Sequence, residues 1–488
     1  MLRKRARAAV LWSGVDILAR QGIGFIITVL MARLLLPEDF GTIALLSIFL
    51  GISQLFVNAG FSQALIQKQD ATHLDESTIF WFNTCIGAAV TVVLFLLAPW
   101  VASFFELEVL IPLTQVMSCI VFIGALGSIQ GTLLTKKLDF KTPMKIGVLS
   151  VSVSGFVGVY LALANYGVWA LAAQQLIGAT INTVALWVIG SWRPLFAFSG
   201  NSLTQLLKFG GWIFASGALE TLYQRAYTLL IGKFYGAAEL GIYNRADATQ
   251  QLPASILSGV LSRVTFPLFS EGRKDENFLR EGVRLSVRSM MLIMIPSMTG
   301  LAILAEPFIR VVFGEQWLPA VPILQVLCAA GAFYPLHVIN LSVLQAQGHA
   351  NLFFRLEVAK KCIGVALLIV GSFYGLMGIA LSRVIHSYFA FAINGHYTGK
   401  FLDYGCRQQI KDFIPSLILS ALMGLLLVAL DCWLVIGGVR ELLILILFGF
   451  CFYVAMNVLL GVAAFREAVG FILGGSESGR PDPKLQKK

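Results

Sequence analysis

Two hydrophobic runs constrain this chain more than anything else in it. AAVLWSGVDILARQGIGFIITVLM, from Ala8 to Met31, and KFGGWIFASGALETLYQRAYTLLI, from Lys208 to Ile231, are each long enough to cross a bilayer as a helix. Yet each carries an acid and an arginine near its middle: Asp16 with Arg20, and Glu220 with Arg225. A charge at mid-bilayer costs about 2.5 to 3.5 kcal/mol on insertion scales, so four facing lipid would cost on the order of 10 kcal/mol. These side chains must therefore face protein or a watery cavity. They either lock helices together as ion pairs or line a polar cavity for a charged cargo.

The second run echoes the first. Trp12 and Trp212 stand 200 residues apart, and in the same register Asp39-Phe40-Gly41-Thr42-Ile43 meets Glu239-Leu240-Gly241-Ile242-Tyr243. NYGVWAL (Asn165 to Leu171) and FYGLMGIAL (Phe373 to Leu381) repeat at an offset of 208. The chain therefore reads as two copies of one unit followed by a tail.

With 57% hydrophobic residues, 13% charged residues and a mean hydropathy of +0.81, the composition excludes a soluble core. The net charge of +10 has to be sorted by side of the membrane before it says anything about partners. Seven cysteines, odd in number and never in CxxC spacing, indicate neither a disulfide framework nor a zinc site. MLRKRAR before an apolar run imitates a signal peptide, but the run is too long and includes Asp16 and Arg20, so it is expected to stay uncleaved.

Hydrophobic runs between short polar turns predict an all-α polytopic membrane protein of about fourteen helices. The first six lie near 8–33, 40–66, 78–103, 109–135, 143–164 and 168–191. The next six lie near 207–232, 238–269, 283–305, 317–345, 356–373 and 375–394, and the last two near 413–430 and 441–464. On that layout 27 Lys and Arg fall on one side and four (Arg33, Lys233, Arg310, Arg440) on the other, which predicts cytoplasmic termini. Six helices per repeat is an even number, so the repeats run parallel and a cleft is expected between two lobes. The lobes are 1–195 and 196–400; helices thirteen and fourteen occupy 401–465, and 466–488 is a polar cytoplasmic tail of disordered composition.

Membrane-depth polar groups concentrate in helices one, two, seven and eight. They include Asp16, Arg20, Tyr223, Glu220, Arg225, Asn244, Arg245, Asp247 and Gln250, with Arg263 at the cytoplasmic end and Arg383 in helix twelve. Arginines exceed acids, which suits an anionic cargo, and a guanidinium fork fits phosphate oxygens. Arg20, Arg225, Arg245 and Arg263 with Tyr223, Asn244 and Gln250 are thus the expected binding groups, with Asp16, Glu220 and Asp247 poising them or carrying a coupling ion. His337 and His386 are candidate proton relays or hydrogen-bonded packing groups. Helices thirteen and fourteen are almost free of polar groups at depth and are expected to offer a groove to an apolar tail. No phosphate-loop, HExxH, GxSxG or DxD signature occurs, so neither a cofactor nor catalysis is expected.

LLLPEDFGTIALLSIF, GFSQALIQK (Gly60 to Lys68), STIFWFN (Ser77 to Asn83), APWVASFF (Ala98 to Phe105) and TKKLDFK (Thr135 to Lys141) together resemble the bacterial polysaccharide-exporting flippases of the Wzx type. Within them the chain is similar to the colanic-acid exporter branch of the multidrug/oligosaccharidyl-lipid/polysaccharide exporter superfamily, over about residues 1–400. The resemblance implies two six-helix lobes, a central cationic cavity, and transfer of undecaprenyl-diphosphate-linked oligosaccharide from the cytoplasmic to the periplasmic leaflet of the bacterial inner membrane. Membrane lipids and polysaccharide polymerase and export machinery are the implied partners, with no nucleic acid. A cation-coupled drug antiporter of the same fold is the alternative, and it would want surplus acids instead of surplus arginines.

Overall fold

The computed structural model describes residues 19–472 except 59–60, 69, 272–274 and 435–436. Of the side chains within helices it omits those at 58, 208–210, 212–213, 216, 255–271, 350 and 468–472. Asp16 and Trp12 lie outside the described residues, as does the tail beyond 472, and the side chains of Arg263 and Trp212 lie outside the described side chains.

Every regular element among the described residues is helical, because a chain in lipid must satisfy its own backbone hydrogen bonds. In chain order these are α1 (19–34), α2 (Pro37–Asn58), α3 (Phe61–Gln67), α4 (His73–Phe105), α5 (Leu110–Lys136), α6 (Lys141–Leu163), α7 (Val168–Ile189) and α8 (Gly200–Glu271). There follow α9 (Glu276–Ile303), α10 (Ala305–Val312), α11 (Ala320–Gly331), α12 (Tyr334–Ala346), α13 (Ala350–Ser372), α14 (Gly375–Leu402), α15 (Cys406–Trp433), α16 (Gly438–Leu459) and α17 (Ala463–Ile472). Ten spans among the described residues, counting α2 with α3 and α11 with α12, are long and apolar enough to cross a membrane. The chain is a multi-pass membrane protein. Each of the fourteen predicted runs has helix on it; those outside the set of ten are α1, the two halves of α8, and α13. The α8 halves and α13 carry acids and bases at depth.

Helices begin earlier than the apolar pattern does, since polar first turns are capped instead of unwound. At α4 the Thr72 hydroxyl accepts from the Asp75 amide while the Asp75 carboxylate accepts from the Thr72 amide and from Lys68 Nζ, both at 2.9 Å. Asp275 caps α9 by accepting from the amides of Asn277 and Phe278. The 72-residue α8 would reach on the order of 108 Å if straight, several times the bilayer core. Gly236, at φ 86° and ψ 177°, interrupts it where the sequence predicts the turn between helices seven and eight.

By packing, the chain divides into residues 1–244 and 245–488. In the first unit α4 lies on α5, where Gly87 leaves no room beyond the Ala125 methyl, and α6 lies on α7, where Ser150 Oγ donates to Gly178 O at 2.6 Å. The early part of α8 runs antiparallel along α2. Going down this seam, Gly241 and Ala237 meet Pro37 and Gly41, Gly232 meets Leu45, Arg225 meets Gly51, Gly217 meets Leu55, and Phe214 meets Phe56. The crossing is reciprocal: a Cβ at Gly41 would fall on the carbonyl of Ala237, and a Cβ at Gly241 on the carbonyl of Pro37. These are equivalent positions of the sequence repeat.

In the second unit α9 packs on α15, and α13 on α14. Gly371 and Gly378 bring α13 and α14 within backbone contact. One apolar core gathers Val287, Met291, Leu336, Ile339 and Phe413; another gathers Leu292, Leu419, Met423, Leu445 and Tyr453. Beside the first, Arg288 Nη2 and Arg284 Nε reach Asp412 at 2.6 and 2.9 Å, and the Tyr404 hydroxyl donates to it at 2.9 Å. Burial and the adjacent Asp412 carboxylate push the Tyr404 hydroxyl above its ordinary range, so it remains a donor. Arg288 also bonds Glu467 of α17 at 3.1 Å.

The reciprocal glycine crossing predicts the effect of adding a methyl group. Gly41→Ala and Gly241→Ala should each destabilise the protein by about 1–3 kcal/mol or more through overpacking against backbone. Gly217→Ala should be tolerated, since its Cβ would sit 3.7 Å from Leu55 Cδ2. Thermal unfolding in detergent checks all three.

Candidate functional site

In the first unit the expected binding residues lie on α1 and the early part of α8. Arg20 is half-buried and its side chain covers Gly147 of α6, where any larger residue would strike Cδ and the guanidinium. Arg225 sits in the α2–α8 seam: Nη1 donates to Ser47 Oγ at 2.9 Å, and the guanidinium lies against Gly51, whose added Cβ would come within 2.9 Å of Nε. Glu220 accepts from Gln224 Nε2 at 2.7 Å, one turn along the same helix. Tyr223 stands edge-on to Tyr227, with ring centroids 6.1 Å apart, and Asn244 is half-buried. Lys233 Nζ donates to Glu106 Oε1 at 2.9 Å and to Phe104 O at 2.7 Å, tying α4 to α8.

In the second unit the later part of α8 presents different faces to different neighbours. Arg245 is 7% exposed, and its guanidinium lies over the rings of both Phe313 and Trp317, at 4.8 and 4.7 Å from their centroids. Each such contact is worth about 2 kcal/mol when desolvated. Asp247 pairs with Arg383 Nη1 of α14 at 2.8 Å and accepts from Gln251 Nε2 at 2.9 Å. Gln250 is buried with its amide over Gly331, in a notch that a Cβ would fill.

A cavity of about 710 Å³ opens beside this helix, walled by Thr249, Leu252 and Pro253 of α8 together with α9, α15, α16 and α17. Leu292, Pro296, Leu304, Phe308, Met423, Leu427, Leu445 and Phe450 make it apolar. Tyr453 turns its hydroxyl away to donate to Leu292 O at 2.9 Å, and Phe465 brings α17 into the wall. α15 and α16 are the two helices beyond the repeat from which an apolar groove is expected.

Sequence reasoning missed a charged group here. Lys360, counted with the basic flank of its helix, is 6% exposed in the middle of α13; Nζ reaches Glu357 Oε1 and, at 3.1 Å, Asn394 Oδ1 of α14. The signal was the Glu357-x-x-Lys360 spacing, which puts both side chains on one helix face. His386 Nε2 lies 3.0 Å from Lys360 O, and His337 Nε2 lies 2.9 Å from Ser387 Oγ, so both histidines engage local partners.

A family profile described as "Polysaccharide biosynthesis protein" matches residues 30–322. The chain is 30% identical over 380 residues to the teichuronic acid biosynthesis protein TuaB of Bacillus subtilis (strain 168), covering 77% of this chain and 78% of that protein. It is 25% identical over 443 residues to the lipopolysaccharide biosynthesis protein WzxC of Escherichia coli (strain K12), covering 87% and 89%. Its fold is similar to that of the lipid II flippase MurJ in an inward closed conformation, with a TM-score of 0.78 at 19% identity over 94% of this chain and 100% of that one.

The aromatic clamp on Arg245 yields a stability prediction. Trp317 is fully buried, so Trp317→Ala both opens a void and removes one of two rings that lie against a buried cation. It should cost about 3–5 kcal/mol, read as a lower melting temperature, whereas Trp317→Phe should lose much less.

Proposed function

The chain belongs to the polysaccharide biosynthesis protein family, and on that premise we propose that it is a flippase for lipid-linked oligosaccharide. It carries undecaprenyl-diphosphate-linked repeat units across the bacterial inner membrane by alternating access, for exopolysaccharide, capsule or lipopolysaccharide assembly, and it releases them chemically unchanged. The curated relatives act, by their names, in teichuronic acid and lipopolysaccharide biosynthesis, which supports this cargo class. Polymerase and export machinery downstream are its proposed partners.

One observation carries the reading. The later part of α8 turns Thr249, Leu252 and Pro253 to an apolar cavity and Asp247 and Gln251 to a charged cluster. Such a helix suits an amphiphile whose long tail gains nothing by entering water and whose sugar hydroxyls lose about 2–7 kcal/mol each if stripped of water without partners. Arg20 and Arg225 are proposed to receive the diphosphate, with Arg263 gathering it at the cytoplasmic end and Asp16 and Glu220 poising the arginines. A drug/cation antiporter would instead want unpaired acids, whereas Asp247 is already neutralised by Arg383. The repeat lobes at 1–195 and 196–400 are proposed as the bodies that alternate.

Orientation is tested separately from transport. A phosphatase fused after Leu36 should be active and one fused after Lys137 silent; the reverse pattern inverts the proposed topology. For transport, Arg20→Ala and Arg225→Ala should abolish export of polymer while the protein stays inserted, and Arg225→Lys should keep part of it. Ile446→Trp, at the wall of the apolar cavity, should lower export without lowering protein level. Wild-type export by both alanine variants would remove the arginines from the site.

A further inference from the structure

Glu357, Lys360 and Asn394, which meet between α13 and α14, are not among the residues proposed to hold the cargo. Lys360 is the eleventh of the 23 residues of α13, and it is buried. Its ammonium is held by oxygens from two helices: a carboxylate oxygen of Glu357 and, at 3.1 Å, Oδ1 of Asn394. An ammonium only donates, so Asn394 must turn its oxygen towards Nζ. Its own amide nitrogen is then left without a hydrogen-bond partner among the described residues, in a side chain that is fully buried. The amide is thus oriented as a cation ligand at the expense of its donor. Lys361 Nζ lies 3.9 Å from the other Glu357 oxygen, and the neighbouring acid, Asp247, is taken by Arg383. The Glu357 carboxylate therefore already faces two ammonium groups and needs no further positive charge. A buried ion pair gains little net stability over apolar packing, so one placed at mid-helix calls for a role.

We infer that the Lys360 ammonium is a resident cation, filling a site of carboxylate and amide oxygens on α13 and α14 that would otherwise take a monovalent cation from solution. The charge that joins these helices is then part of the chain, and His386, bonded to the Lys360 carbonyl at 3.0 Å, adds a second tie across the same joint. The inference deepens the transport reading by making a sodium or potassium ion dispensable at this joint, but the site itself does not rest on that reading.

The experiment is thermal unfolding of the purified full-length protein in sodium, potassium or choline chloride at matched ionic strength. Wild type should melt at one temperature in all three. Lys360→Ala should melt several degrees lower in choline, and sodium or added methylammonium should raise it in a saturable way; Lys360→Arg should retain most of the wild-type behaviour. Should Lys360→Ala not accumulate, the Glu357→Gln/Lys360→Ala double variant, which removes both charges, should restore folding and show no cation response. A wild-type melting temperature that responds to sodium overturns the inference, as does a Lys360→Ala protein indifferent to every cation or a double variant that also fails to accumulate. None of these readouts involves lipid or export, so failure of the flippase reading would show elsewhere.

Discussion

The close approach of α2 and the early part of α8 is the contact on which the first unit depends. Lipid tails are as apolar as leucine, so two helices in a membrane adhere through tight packing and not by escaping water. The seam achieves this with glycine on both sides: Gly41 and Gly51 on α2, Gly217, Gly232 and Gly241 on α8. Gly41 and Gly241, which the sequence aligns at an offset of 200, each abut the other helix's backbone, so the contact is reciprocal. The same closeness brings Arg225 within reach of Ser47. Widening the seam would move that guanidinium as well.

Charges at depth are otherwise settled locally and by different means. Arg245 is wrapped in aromatic rings, Asp247 is matched by Arg383, and Lys360 is enclosed by side-chain oxygens. Each arrangement avoids the penalty of a bare ion in a low-dielectric interior. Arg245, which the sequence groups with Arg20 and Arg225, is thereby distinguished from them: it is enclosed by its own unit, whereas those two remain half-exposed beside glycine notches. Apolar volume is kept apart, in the cavity between α9, α15 and α16.

Much of this was legible in the sequence because the bilayer imposes a strict length and polarity code. The runs at 78–103, 109–135 and 143–164 fall within α4, α5 and α6 or overrun them by a residue. Hydropathy places the starts of α4 and α9 too late, because Thr72 and Asp275 cap polar first turns that look like loop. The burial of Lys360 is hidden for a different reason. Hydropathy counts a lysine as facing water, and only the three-dimensional neighbour, Asn394, shows that this one is enclosed by protein. The pairing of Arg225 with Ser47 instead of Glu220 was equally invisible, since it depends on an antiparallel register between segments 178 residues apart.

α17 joins two features that are distant in the chain. Phe465 forms part of the apolar cavity wall, and two residues later Glu467 is fastened to Arg288, which in turn grips Asp412 at the start of α15. A change at the Glu467 ion pair is therefore felt two residues away, at an aromatic side chain in the wall of the cavity.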